Sequence, residues 1–282
     1  MSVLDGKYKQ LQTILNELDS VVIGYSGGVD STFLAKAATE VLGEKALAVV
    51  SVSDSFPAHE RQEAQEFAKT LGLNYLEIHT NELNNPDFRR NDKDRCYYCK
   101  EELVTHLLSI ADEKGFKAVA LGTVVDDLGD YRPGQQAAKK LGAVFPLVEA
   151  NLTKEDVREL SKRLNVPTWD KPSFACLSSR FPYGEEITKN KLHMVENAES
   201  ILRELGFKQL RVRHHGNIAR IEVLPPDMIK IVMLRDDLIR LFKDVGYTYV
   251  TMDLLGYRTG SLNEMLYQIE KTGCACKTNC PG

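Results

Sequence analysis

Short apolar runs alternate with longer segments of helical apolar spacing in the first half of the chain. Strands are predicted at Val21–Tyr25, Ala46–Val52, Leu73–His79 and Ala118–Gly122. This alternation is typical of an α/β fold with a parallel sheet and helices on both faces. The ligand crevice of such a fold opens at the carboxyl ends of the strands.

The last helix of this unit is predicted at Thr153–Leu164, because Thr153 and Asp156 have the spacing of a capping box. The pattern then changes, and a smaller α+β domain is predicted. Its predicted elements are a helix at Lys189–Leu205, strands at Gln209–His214 and Ile218–Val223, a helical stretch at Met228–Phe242 and a strand at Tyr247–Asp253. We therefore expect domains at 1–181 and 182–265, and a cysteine-containing tail at 266–282.

Composition narrows the functional classes. The 282 residues are 43% hydrophobic, enough to bury a sizeable core, and no apolar run approaches the roughly 20 residues that span a bilayer. The net charge of −4 provides no global attraction for nucleic acid. The N-terminus lacks the apolar core of a signal peptide, and two of the six cysteines form a CxxC, so we expect a cytoplasmic protein without a disulfide framework.

The stretch VVIGYSGGVDSTFLAKAA at 21–38 places a glycine-rich turn between a strand and a helix. Such a turn directs backbone N–H groups and the helix dipole at an anion, for which phosphate is the natural candidate. No Lys precedes Ser31 or Thr32, so simple γ-phosphoryl transfer is disfavoured. The simpler interpretation is that Gly27 and Gly28 only turn a tight corner.

The motif SGGVDS resembles the pyrophosphate loop of the N-type ATP pyrophosphatases, or PP-loop enzymes. The resemblance implies a Rossmann-like domain that splits ATP between its α- and β-phosphates, adenylylates an oxygen, and uses Mg²⁺ held by Asp30. Adenosine would lie against Ser51 and Gly122 at the ends of the second and fourth strands. The implied ATP-binding residues are Ser26, Gly27, Gly28, Val29, Asp30, Ser31, Ser51 and Gly122.

Further motifs resemble the LarE-type sulfur transferases of nickel-pincer nucleotide synthesis. They are DYRPG at 130–134, Cys176, SSRFPYG at 178–184, RVR at 211–213 and IARIE at 218–222. The resemblance implies adenylylation of a carboxylate of pyridinium-3,5-biscarboxylic acid mononucleotide and its conversion to a thiocarboxylate. In the sacrificial form of this chemistry the sulfur comes from the cysteine matching Cys176.

Three arginines are candidates for binding the substrate. Arg211 and Arg213 alternate along a predicted strand, so they share one face and can clamp a phosphate or carboxylate. Arg180 follows Cys176 closely and is the third candidate. The alternative is a solvated strand face. Glu199 and Glu222 fall at positions resembling an acidic site of the family, although helical glutamates are usually only solvated.

A CxxC formed by Cys96 and Cys99 departs from the sacrificial pattern. With Cys176 it resembles the ligand set of tRNA-thiolating relatives, which hold a [4Fe-4S] cluster by three cysteines and leave one iron free to carry sulfide. Cys176 is then both a catalytic and a metal-binding candidate. A zinc site, a redox dithiol or buried thiols without chemistry stay open, as does the role of the tail cysteines Cys274, Cys276 and Cys280.

Three other functions compete with this hypothesis. A tRNA thiolase would use the same loop and cluster, but the acidic balance counts against it. A nonenzymatic adenine-nucleotide sensor would not need an intact SGGVDS. Amidotransferase-type relatives leave the cysteines unexplained. By resemblance we also expect a homo-oligomer, and the sulfur donor is unknown.

Overall fold

The computed structural model describes residues 2–129, 133–258 and 260–263, which form two compact units. Unit 1 comprises the chain up to Cys176 and returns at Tyr183–Lys189. Unit 2 comprises Leu177–Pro182 and the described residues from Asn190 onward. The chain thus passes between the units three times, whereas the sequence pattern predicted one boundary after residue 181. The predicted tail at 266–282 lies outside the described residues.

Unit 1 contains a four-stranded parallel sheet, which confirms the predicted α/β class. Its strands are β1 (Val21–Gly24), β2 (Ala46–Val52), β3 (Tyr75–His79) and β4 (Ala118–Leu121), in the spatial order β3-β2-β1-β4. Val21 pairs with Ala46 on one side and with Ala118 on the other. Since the chain order reverses between β1 and β4, the loops after these two strands flank the crevice where α/β sheets bind ligands.

Helices cover both faces of this sheet. Val21 and Ile23 of β1 belong to one hydrophobic cluster, and Val22 belongs to a second cluster on the opposite face. This burial on both faces explains why the strands are apolar throughout. The helices are α1 (Val3–Leu18), α2 (Val29–Leu42), α3 (Ala58–Thr70), α4 (Pro86–Arg89), α5 (Arg95–Lys114), α6 (Pro133–Lys140), α7 (Pro146–Glu149) and α8 (Lys154–Arg163).

The predicted start of α8 is confirmed. The Thr153 hydroxyl accepts a hydrogen bond from the Asp156 backbone N–H at 3.1 Å, and the Asp156 carboxylate accepts one from the Thr153 N–H at 3.0 Å. Two backbone donors at the start of the helix are thereby satisfied. Lys7 also binds Asp156, so the cap ties α8 to α1.

Unit 2 is a three-stranded mixed sheet with helices. Strands β5 (Leu210–His215) and β6 (Ile218–Val223) are antiparallel, and β7 (Tyr249–Met252) pairs parallel to β6. The helices are α9 (Lys189–Glu204), α10 (Met228–Met233) and α11 (Arg235–Val245). The predicted helical stretch at Met228–Phe242 is divided into these last two helices, because the chain leaves helical geometry at Leu234, where ψ is 11°. In the part of the chain that the structure describes, no helix combines the length and apolarity needed to cross a membrane.

Replacing Gly27 by Ala should cost more stability than replacing Gly72. Both residues have positive φ, 69° and 63°, so either change places alanine in the left-handed region at a cost of about 1–2 kcal/mol. A Cβ on Gly27 would also lie 2.7 Å from the Cβ of Ala64, whereas one on Gly72 meets nothing within 4 Å. In urea unfolding, we expect Gly27→Ala to lower the free energy of unfolding by at least twice as much as Gly72→Ala. Equal losses would mean that α3 moves away from the new Cβ without an energetic penalty.

Candidate active site

The glycine-rich turn lies between β1 and α2 and leaves the first backbone N–H groups of α2 without a side-chain cap. Gly28 is the N-cap residue, and it has no side chain to accept those hydrogen bonds. The hydroxyl of Ser31 instead accepts from the Ser26 N–H at 3.2 Å and donates to the Gly28 carbonyl at 3.3 Å. The two serine hydroxyls lie 3.1 Å apart. The loop therefore presents bare N–H groups and hydroxyls to an anion.

Gly122 follows β4 and packs directly against the start of α2. A Cβ at this position would lie 2.9 Å from both the N and the Cα of Ser31. Only glycine allows this approach of two backbones, so the ends of β1 and β4 meet at the loop as predicted for the crevice. Val29 packs its side chain into the core, and the Ser51 hydroxyl bonds the Thr80 hydroxyl at 2.7 Å. The adenosine contacts of Ser51 and Gly122 stay predictions.

Asp30 occupies an acidic environment at the start of α2. Burial, and after it the negative charge of Asp127, raises the pKa of the Asp30 carboxyl to about 6, although Lys154 and Arg158 oppose the shift. Asp127 is 5% exposed, accepts the Val124 N–H and lies 3.2 Å from the Lys154 ammonium. A divalent cation suits such a pair because it offsets their mutual repulsion. The sequence analysis missed Asp127. It could have been found as an acidic residue that follows soon after the predicted fourth strand.

Cys96 and Cys99 lie in the first two turns of α5, three positions apart and hence on neighbouring sites of one helix face. Cys96 is exposed, and Cys99 and Cys176 are partly exposed; all three are free thiols. Burial, then the charges of Glu82, Cys176 and Cys96, raises the pKa of the Cys99 thiol. Three thiols therefore share one electrostatic neighbourhood.

Arg95 is buried beside these cysteines and was missed by the sequence analysis, although it directly precedes the CxxC. Its guanidinium donates to the Asn91 side chain and lies 3.9 Å from the Cys96 sulfur. Burial opposes its charge, but the Cys176 and Cys96 charges raise the pKa of Arg95. A fixed positive charge at this point favours thiolates.

Within residues 2–129, 133–258 and 260–263, no three His, Cys, Asp or Glu side chains converge closely enough to hold a metal ion. The predicted iron–sulfur ligation by Cys96, Cys99 and Cys176 therefore stays a prediction. The tail cysteines Cys274, Cys276 and Cys280 lie outside the described residues, as do residues 130–132 of the DYRPG motif.

Unit 2 holds two of the predicted arginines in buried ion pairs. Arg180 is 1% exposed and donates to both carboxylate oxygens of Glu199, at 2.8 and 3.0 Å. Arg213 donates to both oxygens of Glu222, at 3.0 and 2.8 Å, and to the Ser179 carbonyl at 2.8 Å. Both glutamates are fully buried, so they fix the arginines rather than lie in solvent.

Arg211 has a different environment. Its guanidinium donates to the Leu210 carbonyl at 2.7 Å and lies 5.3 Å from the centre of the Tyr257 ring. Burial, then the positive charge of Arg180, lowers the pKa of Arg211 to about 10. A bound anion would relieve this unfavourable charge. Substrate binding by Arg180, Arg211 and Arg213 stays a prediction, for which Arg211 has the most suitable surroundings.

Comparison with known proteins gives a consistent assignment. The NAD synthase family matches residues 7–96. A pyridinium-3,5-bisthiocarboxylic acid mononucleotide synthase of Lactiplantibacillus plantarum is 38% identical over 94% of this chain and 97% of its own. An uncharacterized protein of Synechocystis sp. is 47% identical over 94% of this chain and 99% of its own. One of Methanocaldococcus jannaschii is 30% identical over 85% and 91%.

The parallel sheet, its glycine-rich loop and the family match define an ATP-dependent enzyme of the PP-loop class. Within that class the chain belongs to the pyridinium-3,5-bisthiocarboxylic acid mononucleotide synthase family, the LarE-type sulfur transferases, because the similarity extends over nearly the whole length of both chains. The resemblance predicted from the motifs is thereby confirmed. A nonenzymatic nucleotide sensor is no longer a competing interpretation.

Replacing Asp30 by Asn should stabilise the protein at neutral pH while removing activity. The folded-state pKa of about 6 lies above the ordinary value of 3.8, so the carboxyl favours folding at low pH and loses that contribution as pH rises through 6. Relative to the wild type, the free energy of unfolding of the variant should increase between pH 4 and 6 and be higher by on the order of 1–2 kcal/mol at neutral pH. Urea unfolding without Mg²⁺ measures this difference. Asp92→Asn, an exposed change, is the control and should show no such rise.

Replacing Glu199 by Gln should destabilise β5 and its neighbours by about 3 kcal/mol at pH 7, because Arg180 is left buried without a full counter-charge. Burial alone would raise the pKa of the Glu199 carboxyl, but the positive charges of Arg180 and then Arg203 have the larger effect and lower it to about 2. The stabilisation that the ionised Glu199 provides is fully present above about pH 4.5 and is lost as the pH falls toward 2. Hydrogen exchange of β5 amides measures the effect, with the exposed Glu204→Gln as control; a pH-independent loss would contradict the ion-pair account.

Proposed function

We propose that this enzyme uses ATP to adenylylate a carboxylate of pyridinium-3,5-biscarboxylic acid mononucleotide and then converts it to a thiocarboxylate, as a step in nickel-pincer nucleotide synthesis. The observation that carries the proposal is the similarity over nearly the full length to a relative named for this product type. The uncapped start of α2 and the free thiols of the same unit are suited to the two chemistries that it needs.

Activation makes the carboxylate reactive. A substrate carboxylate oxygen attacks the α-phosphorus of ATP, the bond to the bridging oxygen breaks, and pyrophosphate leaves with the electron pair. The backbone N–H groups and serine hydroxyls at 26–31 are suited to hold this anion. Asp30, with Asp127 beside it, is the acidic pair suited to Mg²⁺, which would shield the phosphate charge.

Arg211 and Arg213 are proposed to bind the substrate's anionic groups. Glu222 holds the guanidinium of Arg213 through both of its oxygens, so Arg213 is already oriented before substrate binds. Burial and the neighbouring positive charge of Arg180 lower the pKa of Arg211, so an anionic substrate group would favour its charged form. An incoming phosphate or carboxylate therefore meets preorganised positive charge rather than flexible side chains. Arg180, paired with Glu199, would act mainly by adding positive charge.

Sulfur transfer completes the reaction, because a sulfur nucleophile displaces AMP from the acyl adenylate. Cys96, Cys99 and Cys176 are all in unit 1, and the charges of Cys96 and Cys176 act on both Cys99 and Arg95. Thiolate is the ligand type of such clusters, and the three cysteines would hold a [4Fe-4S] cluster if its binding deprotonated them. Such a cluster would supply the sulfide that displaces AMP, and Cys176, as one of its ligands, would keep its own sulfur.

The competing source is Cys176 itself. Its thiolate would displace AMP to form a thioester. Loss of the Cα proton of Cys176 and cleavage of its Cβ–S bond would then leave dehydroalanine, and the thiocarboxylate would depart with the electron pair of that bond. This sacrificial route uses Cys176 alone and gives one turnover per chain. It assigns no chemical role to Cys96 and Cys99, and therefore the two routes predict different results for the same variants.

Replacing Cys96 by Ser separates these routes. With a cluster, anaerobically purified protein is brown with about four irons per chain, and Cys96→Ser loses both the iron and multiple turnover. Thr105→Ser, an exposed change further along α5, should keep both. Colourless protein in which Cys96→Ser still turns over once, with loss of the mass of H₂S at Cys176, would contradict the cluster and establish sacrifice. Intact mass before and after turnover measures this.

Three attributes remain predictions of this proposal: a cytoplasmic location, a homo-oligomeric state and an unidentified upstream sulfur donor. The cytoplasm fits the free thiols of Cys96, Cys99 and Cys176, because reducing conditions preserve thiols.

A further inference from the structure

Lys171 lies against the glycine-rich loop although it is far from it in sequence. Its ammonium is 3.3 Å from the Gly27 carbonyl oxygen, 2.8 Å from a Glu60 carboxylate oxygen and 2.7 Å from one of Glu63. Its side chain is only 11% exposed. A cation is therefore held within one hydrogen bond of the loop backbone, on a segment that the loop motif does not include.

The backbone around Lys171 is anchored, whereas its side chain is long and unbranched. Arg158 donates to the carbonyls of Trp169 and Lys171 at 2.7 and 2.9 Å. Further along, the ring of Phe174 packs edge-on against Phe56 at 5.5 Å between centroids. The four-carbon stem of the lysine can consequently change partners without displacement of the segment that bears it.

The charges around Lys171 favour such an exchange. Two carboxylates, Glu60 and Glu63, share one ammonium, and Glu63 is 44% exposed, so it can turn to water when Lys171 leaves. Polyphosphate sites commonly use a lysine on the β- and γ-phosphates, and this loop has none before Ser31 or Thr32. An anion placed on the loop's N–H groups would lie beside the Lys171 ammonium, which already contacts Gly27.

We propose that Lys171 binds the β- and γ-phosphates of ATP and stabilises the pyrophosphate that leaves, and so replaces the lysine missing from the loop. The ammonium exchanges its contacts with Glu63 and the Gly27 carbonyl for phosphate oxygens. As the bond between the α-phosphorus and the bridging oxygen breaks, Lys171 neutralises part of the charge that accumulates on pyrophosphate. This inference rests on the ATP activation step of the proposed function.

Calorimetric binding of inorganic pyrophosphate and of AMP, each with Mg²⁺, tests the assignment. Lys171→Met should weaken pyrophosphate binding at least tenfold and leave AMP binding within twofold, because AMP lacks the phosphates that Lys171 would contact. Lys171→Arg should keep most of the pyrophosphate affinity. Lys162→Met is the matched control, since Lys162 lies over the Trp169 ring away from the loop contacts, and it should bind both ligands normally.

The variant Glu63→Gln distinguishes phosphate binding by Lys171 from a purely structural role, in which Lys171 only anchors its segment to α3. If Lys171 only anchors its segment, this variant should weaken pyrophosphate binding as Lys171→Met does. Under the proposal, removal of a competing carboxylate should instead raise the affinity about two- to threefold. Unchanged pyrophosphate affinity in Lys171→Met would overturn the inference and leave the proposed function intact. Wild-type protein that binds neither ATP nor pyrophosphate would contradict both.

Discussion

An uncapped helix start at the edge of a buried sheet is the constraint on which this enzyme depends. A side-chain acceptor at the N-cap would satisfy the first N–H groups of α2, but Gly28 leaves them available to a ligand. The site stays open only because its surroundings are packed closely. Gly27 passes α3 in a left-handed conformation, and Gly122 touches the backbone of Ser31. Stability has thus been given up locally to leave backbone donors for an anion.

The two units arrange their charged side chains differently, and each arrangement suits the ligand proposed for that unit. Unit 1 gathers carboxylates near its loop, with Asp30 beside Asp127, an arrangement that needs a cation when the site is ionised. Unit 2 buries Glu199 and Glu222 fully, and each holds an arginine through two hydrogen bonds. A buried ion pair contributes little net stability, but it fixes orientation. Preorganised guanidinium groups suit an anionic substrate, and paired carboxylates suit a metal bound to polyphosphate.

Particular residues show how far the sequence pattern reached. The four parallel strands and the Thr153 cap were predictable, because apolar periodicity and a local hydrogen-bonding motif depend on neighbours in sequence. The break at Leu234 was not, since the apolar spacing continues through it. Asp127, Arg95 and Lys171 were overlooked because each is an ordinary charged residue in its own segment. Their relevance arises from what lies beside them after folding.

The sequence by itself determined the class of chemistry: a glycine-rich turn after a buried strand, and cysteines with ligand-like spacing. Those signals are local, and backbone geometry links them directly to anion and metal chemistry. Only the tertiary structure decided which charges meet at the loop. It brings Lys171 to Gly27 and pairs Arg180 with Glu199, because electrostatic interactions act across a few ångströms of space irrespective of separation along the chain. The loop motif has no lysine of its own, yet the folded protein places one beside it.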